Sequence, residues 1–393
     1  MDNQLTIAET FVGCGGSHLG FKKAGYKTIF VNDIWKDALD TLKNNDLDLK
    51  EEQILLKDIR ELSVNNIPTD LNGRLDVLMG GVVCKGFSLA GIRNPLDERN
   101  YLYLEQLRLV KELNPKISII ENVPAMLSMK ILKREETSSE ICKELNQICE
   151  NIKHKRAEII KYSKKDMNEK IDELKKDLIV LNEKRKTLDE QLEKYKYNVV
   201  EDIEKIYKEI GYTTYKKVLM CSEYNCFTNR KRLFIVAVRN DIQKKWVFPE
   251  PTTKDKEPNV KDAFELLDLN GINNPIIDKD NIPMKHNSKT IEKFKKISSQ
   301  KSQNTDSYFS RGTSSRLDYD KPAPTLVPGH SSFQIHPTEH RSITVREGAL
   351  ITGFPNTYKF SGNHTSRCMQ IGNAIPVDMA FHLALQCKKF LSN

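Results

Sequence analysis

From Leu5 to about Lys130 the chain alternates short apolar runs with longer mixed stretches. "LTIAETFVG", "KTIFVND", "EQILLKDI", "LDVLMGG" and "KISIIENV" each carry an apolar core and each end in an acidic or glycine-containing loop. Near-continuous apolar runs, rather than strict alternation, are what strands covered on both faces look like, and such strands belong to parallel sheets. Between them, "GSHLGFKKAG" and "DERNYLYLEQLRLVKEL" read as crossover helices. The pattern over residues 1–130 predicts an α/β fold built on a doubly wound, mostly parallel sheet.

The texture changes over residues 131–198, where there is no glycine and no proline and charged residues crowd in. Ile171, Leu174, Leu178, Leu181, Leu188, Leu192 and Tyr195 recur at spacings of three and four, interrupted only at Arg185, and Ile141, Leu145, Ile148, Ile152 and Ile159 do the same. With the polar "KYSKKDMNEK" between them as a turn, the segment predicts an antiparallel, coiled-coil-like helical hairpin inserted into the α/β domain. Its charges read first as the solvated faces of the two helices. A hairpin that self-associates, binds a partner or reaches along DNA is the second reading.

The α/β texture resumes over 199–240, where "VVEDIEKIYKEIGYTTYKKVLM" and "RLFIVAVR" predict a helix and two strands. Residues 241–316 are polar and rich in turn residues ("FPEPTT", "NGINNP", "SSQKSQNTDSYFSRGTSSR"), the composition of a small recognition module or a set of loops. Over 317–393, "VREGALITGF" and "PVDMAFHLALQCKKFL" are amphipathic and are expected to return and cover the sheet.

Composition narrows the function classes. A formal charge of +8 and a pI near 8.8 favour a polyanionic partner. No apolar run of about eighteen residues is present, and "MDNQLTIAET" has neither a basic n-region nor an apolar h-region, so a soluble, cytoplasmic protein without a membrane partner is expected. The eight cysteines form no C-x-x-C pair and read as free thiols. His336 and His340 in "HPTEH" lack a third ligand nearby, and no metal is expected.

Candidate chemistry collects at the ends of the predicted strands. In "FVGCGGSHLGF", Gly13, Gly15 and Gly16 follow a strand and precede a helix, where main-chain N–H groups can approach a ligand. Asp33 lies twenty residues past Gly13, the spacing of a carboxylate that accepts ribose hydroxyls, and Asp58 after the third strand is placed to take the exocyclic amine of an adenine. The Walker pattern is absent, which argues against ATP. Cys84 sits in a glycine-bounded turn after "LDVLM". It is either a small buried side chain or a nucleophile whose pKa Lys85 and a helix N-terminus would lower. Glu121 ends another strand, and Arg230 and Arg232, two apart at a strand start, point to one side. A thiol, a carboxylic acid and guanidinium groups beside a nucleoside pocket describe activation of cytosine. A thiolate adds to C6, Glu121 holds N3, Arg232 steadies O2, and C5 becomes able to attack an electrophilic methyl group.

In this order the residues resemble the cytosine-C5 DNA methyltransferase family of bacterial restriction–modification systems. "ETFVGCGGSHLGF" is similar to the family's first, S-adenosyl-L-methionine-binding motif, "VNDI" to the ribose-binding acid with its adenine-stacking neighbour, and "KDIREL" to the third motif. "GGVVCKGFSLAGIRNPLDERNYLYLEQLRLV" resembles the catalytic-cysteine loop, "ENVPAML" the cytosine-binding glutamate motif, and "TNRKRLFIVAVR" the paired-arginine motif. "RLDYDKPAPTL" resembles the ninth motif and "QIGNAIPVDMA" the last, which completes the cofactor pocket through Asn373. The likeness covers nearly the whole chain apart from the helical insertion and residues 241–312. It implies the S-adenosylmethionine-dependent methyltransferase fold, with Cys84, Glu121, Arg230 and Arg232 as catalytic residues. Phe11, Gly13, Gly15, Gly16, Asp33, Ile34, Asp58, Ile59 and Asn373 would bind the cofactor. It also implies a cytosine flipped from a short duplex DNA site, a prokaryotic, nucleoid-associated enzyme, and a cognate restriction endonuclease as a candidate partner.

Two departures stand out. Val82-Val83-Cys84-Lys85 replaces the family's Pro-Pro-Cys-Gln, removing a φ constraint before the cysteine, and Thr228 stands where glutamine usually precedes the arginines. They keep two alternatives open: a catalytically impaired relative acting as a DNA-binding protein, and an RNA (tRNA) cytosine-C5 methyltransferase. The latter branch carries a Cys-Phe-Thr tripeptide in its recognition region, whereas "CFT" here lies at 226–228 inside the arginine motif.

Overall fold

A computed structural model of the chain describes residues 4–67, 74–83, 97–136, 139–163, 167–253, 255–298, 315–326 and 333–392. They fall into two compact units. One comprises Met1–Val82, Glu105–Asn122 and Ile210–Asn393, and the other Val83–Leu104 and Val123–Glu209.

The strands in chain order are β1 (Thr6–Thr10), β2 (Lys27–Asp33), β3 (Ile54–Leu56), β4 (Val77–Gly80), β5 (Ile117–Asn122), β6 (Lys130–Leu132), β7 (Lys196–Asn198), β8 (Tyr212–Met220) and β9 (Lys231–Arg239). Seven of them form the sheet of the first unit in the order β3-β2-β1-β4-β5-β9-β8. β1 to β5 pair in parallel, and β9 runs antiparallel to both β5 and β8. The expected doubly wound, mostly parallel α/β sheet is therefore present. Its order reverses at β1, so the carboxyl ends of β1, β2 and β4 open on a common crevice where such sheets bind ligands.

The sheet is buried on both faces. Ile7, Met79, Ile119, Phe234 and Val236 belong to one apolar cluster, while their neighbours Ala8, Leu78, Ile120 and Ile235 on the opposite face are equally excluded from solvent. The helices in chain order are α1 (Gly16–Lys23), α2 (Lys36–Asn45), α3 (Leu102–Leu113), α4 (Glu140–Ser163), α5 (Asn168–Gln191), α6 (Val199–Glu209), α7 (Val260–Phe264), α8 (Ser288–Lys295), α9 (Val345–Ile351), α10 (His364–Asn373) and α11 (Val377–Ser392), and α1 and α11 contribute Phe21, Met379, Ala380 and Leu383 to that cluster. They approach very closely: a Cβ built on Gly20 would lie 2.6 Å from Ala380 Cβ and 2.7 Å from the Val377 carbonyl. Glycine at position 20 is what lets the C-terminal helix seat against the first crossover.

The second unit holds the hairpin. α4 (Glu140–Ser163) and α5 (Asn168–Gln191) pack antiparallel, with Lys155–Asp177 (2.6 Å) and Lys184–Glu144 (2.7 Å) bridging them. Leu145, Ile148, Ile152 and Ile159 of α4 and Ile171, Leu178 and Leu188 of α5 are buried. At its base β6 and β7 form a short antiparallel ladder. Tyr103 donates to Asp202 of helix α6 (Val199–Glu209) at 2.6 Å.

Candidate active site

The turn after β1 bends sharply, with Phe11 at φ 52°, Gly13 at 58° and Gly15 at 89°. The Gly13 N–H donates to Asp33 Oδ2 at 2.8 Å, and Asp33 Oδ1 accepts from Trp35 N–H at 2.9 Å. The carboxylate at the end of β2 is thus fixed against the glycine turn. Burial raises its pKa, and the N–H groups of Trp35 and Gly13 oppose that rise. The Ile34 N–H bonds it as well, so about one of the four lone-pair sites on its oxygens is left for a ligand. Ile34 beside it is 68% exposed, an apolar face at the crevice. Asp58 caps a short 3-10 turn through Arg60 N–H and pairs with the Arg60 guanidinium at 2.6 Å, which lowers its pKa. Ile59 is buried.

The C-terminal return closes over the turn. A Cβ on Gly16 would lie 2.3 Å from the Ile375 carbonyl, and Tyr358 donates its hydroxyl to the Cys14 carbonyl at 2.7 Å. Asn373, exposed at the end of α10 (His364–Asn373), therefore belongs to the same neighbourhood as Gly15 and Gly16.

Glu121, Arg230 and Arg232 are brought together and buried. Arg232 Nε donates to Glu121 Oε1 at 2.7 Å. Arg230 donates to the Gly372 carbonyl at 2.7 Å and contributes charge toward Glu121. Burial raises the Glu121 pKa above the ordinary range, and the two arginines only partly counter it. The carboxyl faces the turn leaving β4: a Cβ on Gly81 would lie 3.8 Å from Glu121 Oε2, and Asn122 Nδ2 donates to the Val82 carbonyl at 3.2 Å. The chain reaches Cys84 three residues after Gly81, and Cys84 lies outside the described residues.

The sequence reading missed several polar residues near this crevice. Thr10 at the end of β1 donates to the fully buried Gln106 of α3 (Leu102–Leu113). Below the glycine turn, Ser17 donates to Glu9 at 2.6 Å, and His18 bridges Glu9 (3.1 Å) and Asp46 (2.7 Å), with Lys22 on the other Asp46 oxygen. Polar residues inside a strand and a glycine-rich helix were the available signal. Burial works against the His18 charge, but the two carboxylates overcome it and raise its pKa to about 9. A proton held more tightly in the folded chain stabilises it fully below the ordinary value of 6.5, and this contribution is lost as pH rises through about 9. Urea unfolding should therefore show stability falling from pH 6.5 to 9 by roughly 3 kcal/mol, with a flatter profile in a His18→Gln variant.

Thr228 donates to the Ala323 carbonyl at 2.9 Å, and Ala323 N–H donates to the Phe227 carbonyl at 2.8 Å. The "CFT" stretch thus ties the arginine motif to "KPAPT". His336 Nδ1 accepts the N–H groups of Thr338 and Glu339. Among the described residues no group of three or more His, Cys, Asp or Glu side chains is placed to hold a metal, and no helix is long and apolar enough to cross a membrane.

A mostly parallel sheet with one reversed strand, a glycine turn locked to an acid on the next strand, and a buried carboxyl held by arginine make up the fold of the S-adenosylmethionine-dependent methyltransferases. The chain belongs to the C-5 cytosine-specific DNA methylase family, which it matches over residues 5–161 and 188–389. Its enzyme class is DNA (cytosine-5)-methyltransferase. It is 28% identical to the Type II methyltransferase M.Eco47II of Escherichia coli over 404 residues, covering 97% of this chain and 78% of that protein. It is 27% identical to M.DdeI of Desulfomicrobium norvegicum over 441 residues, covering 99% and 90%. A solved E. coli prophage protein described as a DNA modification methyltransferase shares the fold, with TM-score 0.64, 20% identity, and coverage of 99% of this chain and all of that one.

Proposed function

We propose that the chain transfers a methyl group to C5 of a cytosine flipped out of a short duplex DNA site, through a covalent bond between Cys84 and C6. The observation that carries this reading is the buried Glu121–Arg232 pair beside the turn that leads from β4 toward Cys84. Burial raises the Glu121 pKa, which favours a carboxyl that donates a hydrogen bond to N3 and withdraws electron density from the ring, while Arg232 holds O2. The Cys84 thiolate then adds to C6, and the displaced electron pair makes C5 nucleophilic. After C5 is methylated, a base removes its proton, the electrons return to expel the thiolate, and aromaticity is restored.

The residues present fit S-adenosylmethionine. Space over Gly13 is open, the Asp33 carboxylate retains acceptor capacity for ribose hydroxyls, and Ile34 offers an exposed apolar face for adenine. The cofactor supplies the electrophilic methyl group. Phe11, Gly13, Gly15 and Gly16, with Asp58, Ile59 and Asn373, complete its binding set. Residues 241–316 hold the DNA, and the enzyme works in the cytoplasm as the methylating half of a restriction–modification pair.

The test is incubation with tritium-labelled S-adenosylmethionine and either mixed-sequence duplex DNA or bulk tRNA, followed by hydrolysis to nucleosides. Label is expected on DNA as 5-methylcytosine. Label on tRNA alone would move the substrate to RNA, and cofactor binding without label on either would make the chain a non-catalytic binding protein.

A further inference from the structure

The solvent face of helix α5 carries an apolar break in an otherwise charged surface. Leu178 is fully buried in the seam with α4, as are Ile171 and Leu188 nearby. Two residues on, Val180 lies about 200° round the helix from Leu178 and so points away from α4. Val180 is 64% exposed and its neighbour Ile179 54%, whereas every other exposed position of α5 is charged or polar. The pair falls within residues 162–187, between the two spans that match the family, so the family's shared chemistry does not account for it. Adjacent branched side chains held in water on a regular helix mark a contact surface.

The surrounding charges identify what covers it. Glu173, Lys176, Val180 and Glu183 follow one another at spacings of three and four and share one face. Lys176 and Glu183 are exposed, and neither has an ion-pair partner among the described residues. About a twofold axis passing between Ile179 and Val180, two antiparallel copies of α5 set residues equally far from the axis against each other. Lys176 then meets Glu183 of the second copy, Glu183 meets its Lys176, and Ile179 meets Val180. Glu173 likewise meets Lys186, whose own-chain Glu190 is distant at 3.8 Å. The like pair that the same axis generates, Lys175 opposite Lys184, is neutralised within each chain by Asp172 (3.0 Å) and Glu144 (2.7 Å). A parallel arrangement would instead set Lys176 on Lys176 and Glu183 on Glu183. A surface that is its own complement under a twofold axis is suited to an isologous contact.

We propose that a second copy of this chain docks antiparallel on the solvent face of α5, burying Ile179 and Val180 of both copies between reciprocal Lys176–Glu183 pairs. The apolar area is small, so the dimer is weak and forms as concentration rises. Sedimentation velocity of the full chain over a range of concentrations should show the mass rising from one chain toward two. Raised salt should weaken the association, because the reciprocal pairs are screened. Lys176→Glu turns both attractive pairs into repulsive ones and should raise the dissociation constant about tenfold or more. Combining Lys176→Glu with Glu183→Lys restores both pairs in the reverse sense and should return the wild-type constant, which a general loss of helix could not do. Val180→Glu should leave only monomer. Helix content by circular dichroism should match wild type in every variant, since all three positions are exposed. A wild-type chain that stays monomeric at the highest concentration reached would overturn the inference. So would a dimer indifferent to Val180→Glu or Lys176→Glu, or a double variant that associates no better than the single one.

Discussion

A Cys84→Ala variant is expected to transfer no measurable methyl group to DNA while binding S-adenosylmethionine as the wild type does. Removing the nucleophile of residues that act as one unit costs about 10⁴-fold or more, because C5 of cytosine has no nucleophilic character until C6 carries a new bond. The complementary measurement uses a duplex whose target base is 5-fluorocytosine. Fluorine cannot leave C5 as a proton does, so the wild-type adduct should persist through denaturation and the variant should form none. An adduct in the variant would place the nucleophile elsewhere. Val82 bears on whether the nucleophile is held: it is buried, and its carbonyl accepts from Asn122 at 3.2 Å. The strand exit therefore has a tether that does not depend on proline.

The sheet was legible because its strands are buried on both faces. β1, β2, β4, β5 and β9 each coincide with a short apolar run of the sequence. β6 and β7 were not legible, since three-residue strands at the foot of a helical pair carry no period of their own. α10 was missed as an element because "HTSRCMQIGN" mixes polar and apolar positions on several faces. Near the crevice, Asp33 and Glu121 stand out as acids that end apolar runs, and the structure brings each against a neighbour also marked in the sequence, Gly13 and Arg232. What the sequence withheld is closure at long range. Arg230 finds its acceptor at Gly372, and Thr10 meets Gln106, only once the chain has folded back on itself. His18 between Glu9 and Asp46 is likewise invisible locally, since each of the three looks like an ordinary polar residue.

Glu121→Gln is expected to lower kcat by about 10²–10⁴-fold, the range associated with a positioned acid, with little change in S-adenosylmethionine affinity. The amide keeps the shape and can donate an N–H to N3 but cannot give it a proton as the ring takes up the thiolate's negative charge. The same substitution removes the negative charge facing the buried Arg232, whose guanidinium also bonds the Lys231 carbonyl at 2.8 Å. A broken buried pair costs about 3–5 kcal/mol, so a loss of activity could be read as a loss of fold. Glu121→Asp separates the two effects. It retains the charge for Arg232 but withdraws the carboxyl by one methylene, so its melting temperature should stay closer to wild type while its kcat remains low. Activity tracking melting temperature across both variants would make Glu121 a structural partner of Arg232 and remove it from the chemistry.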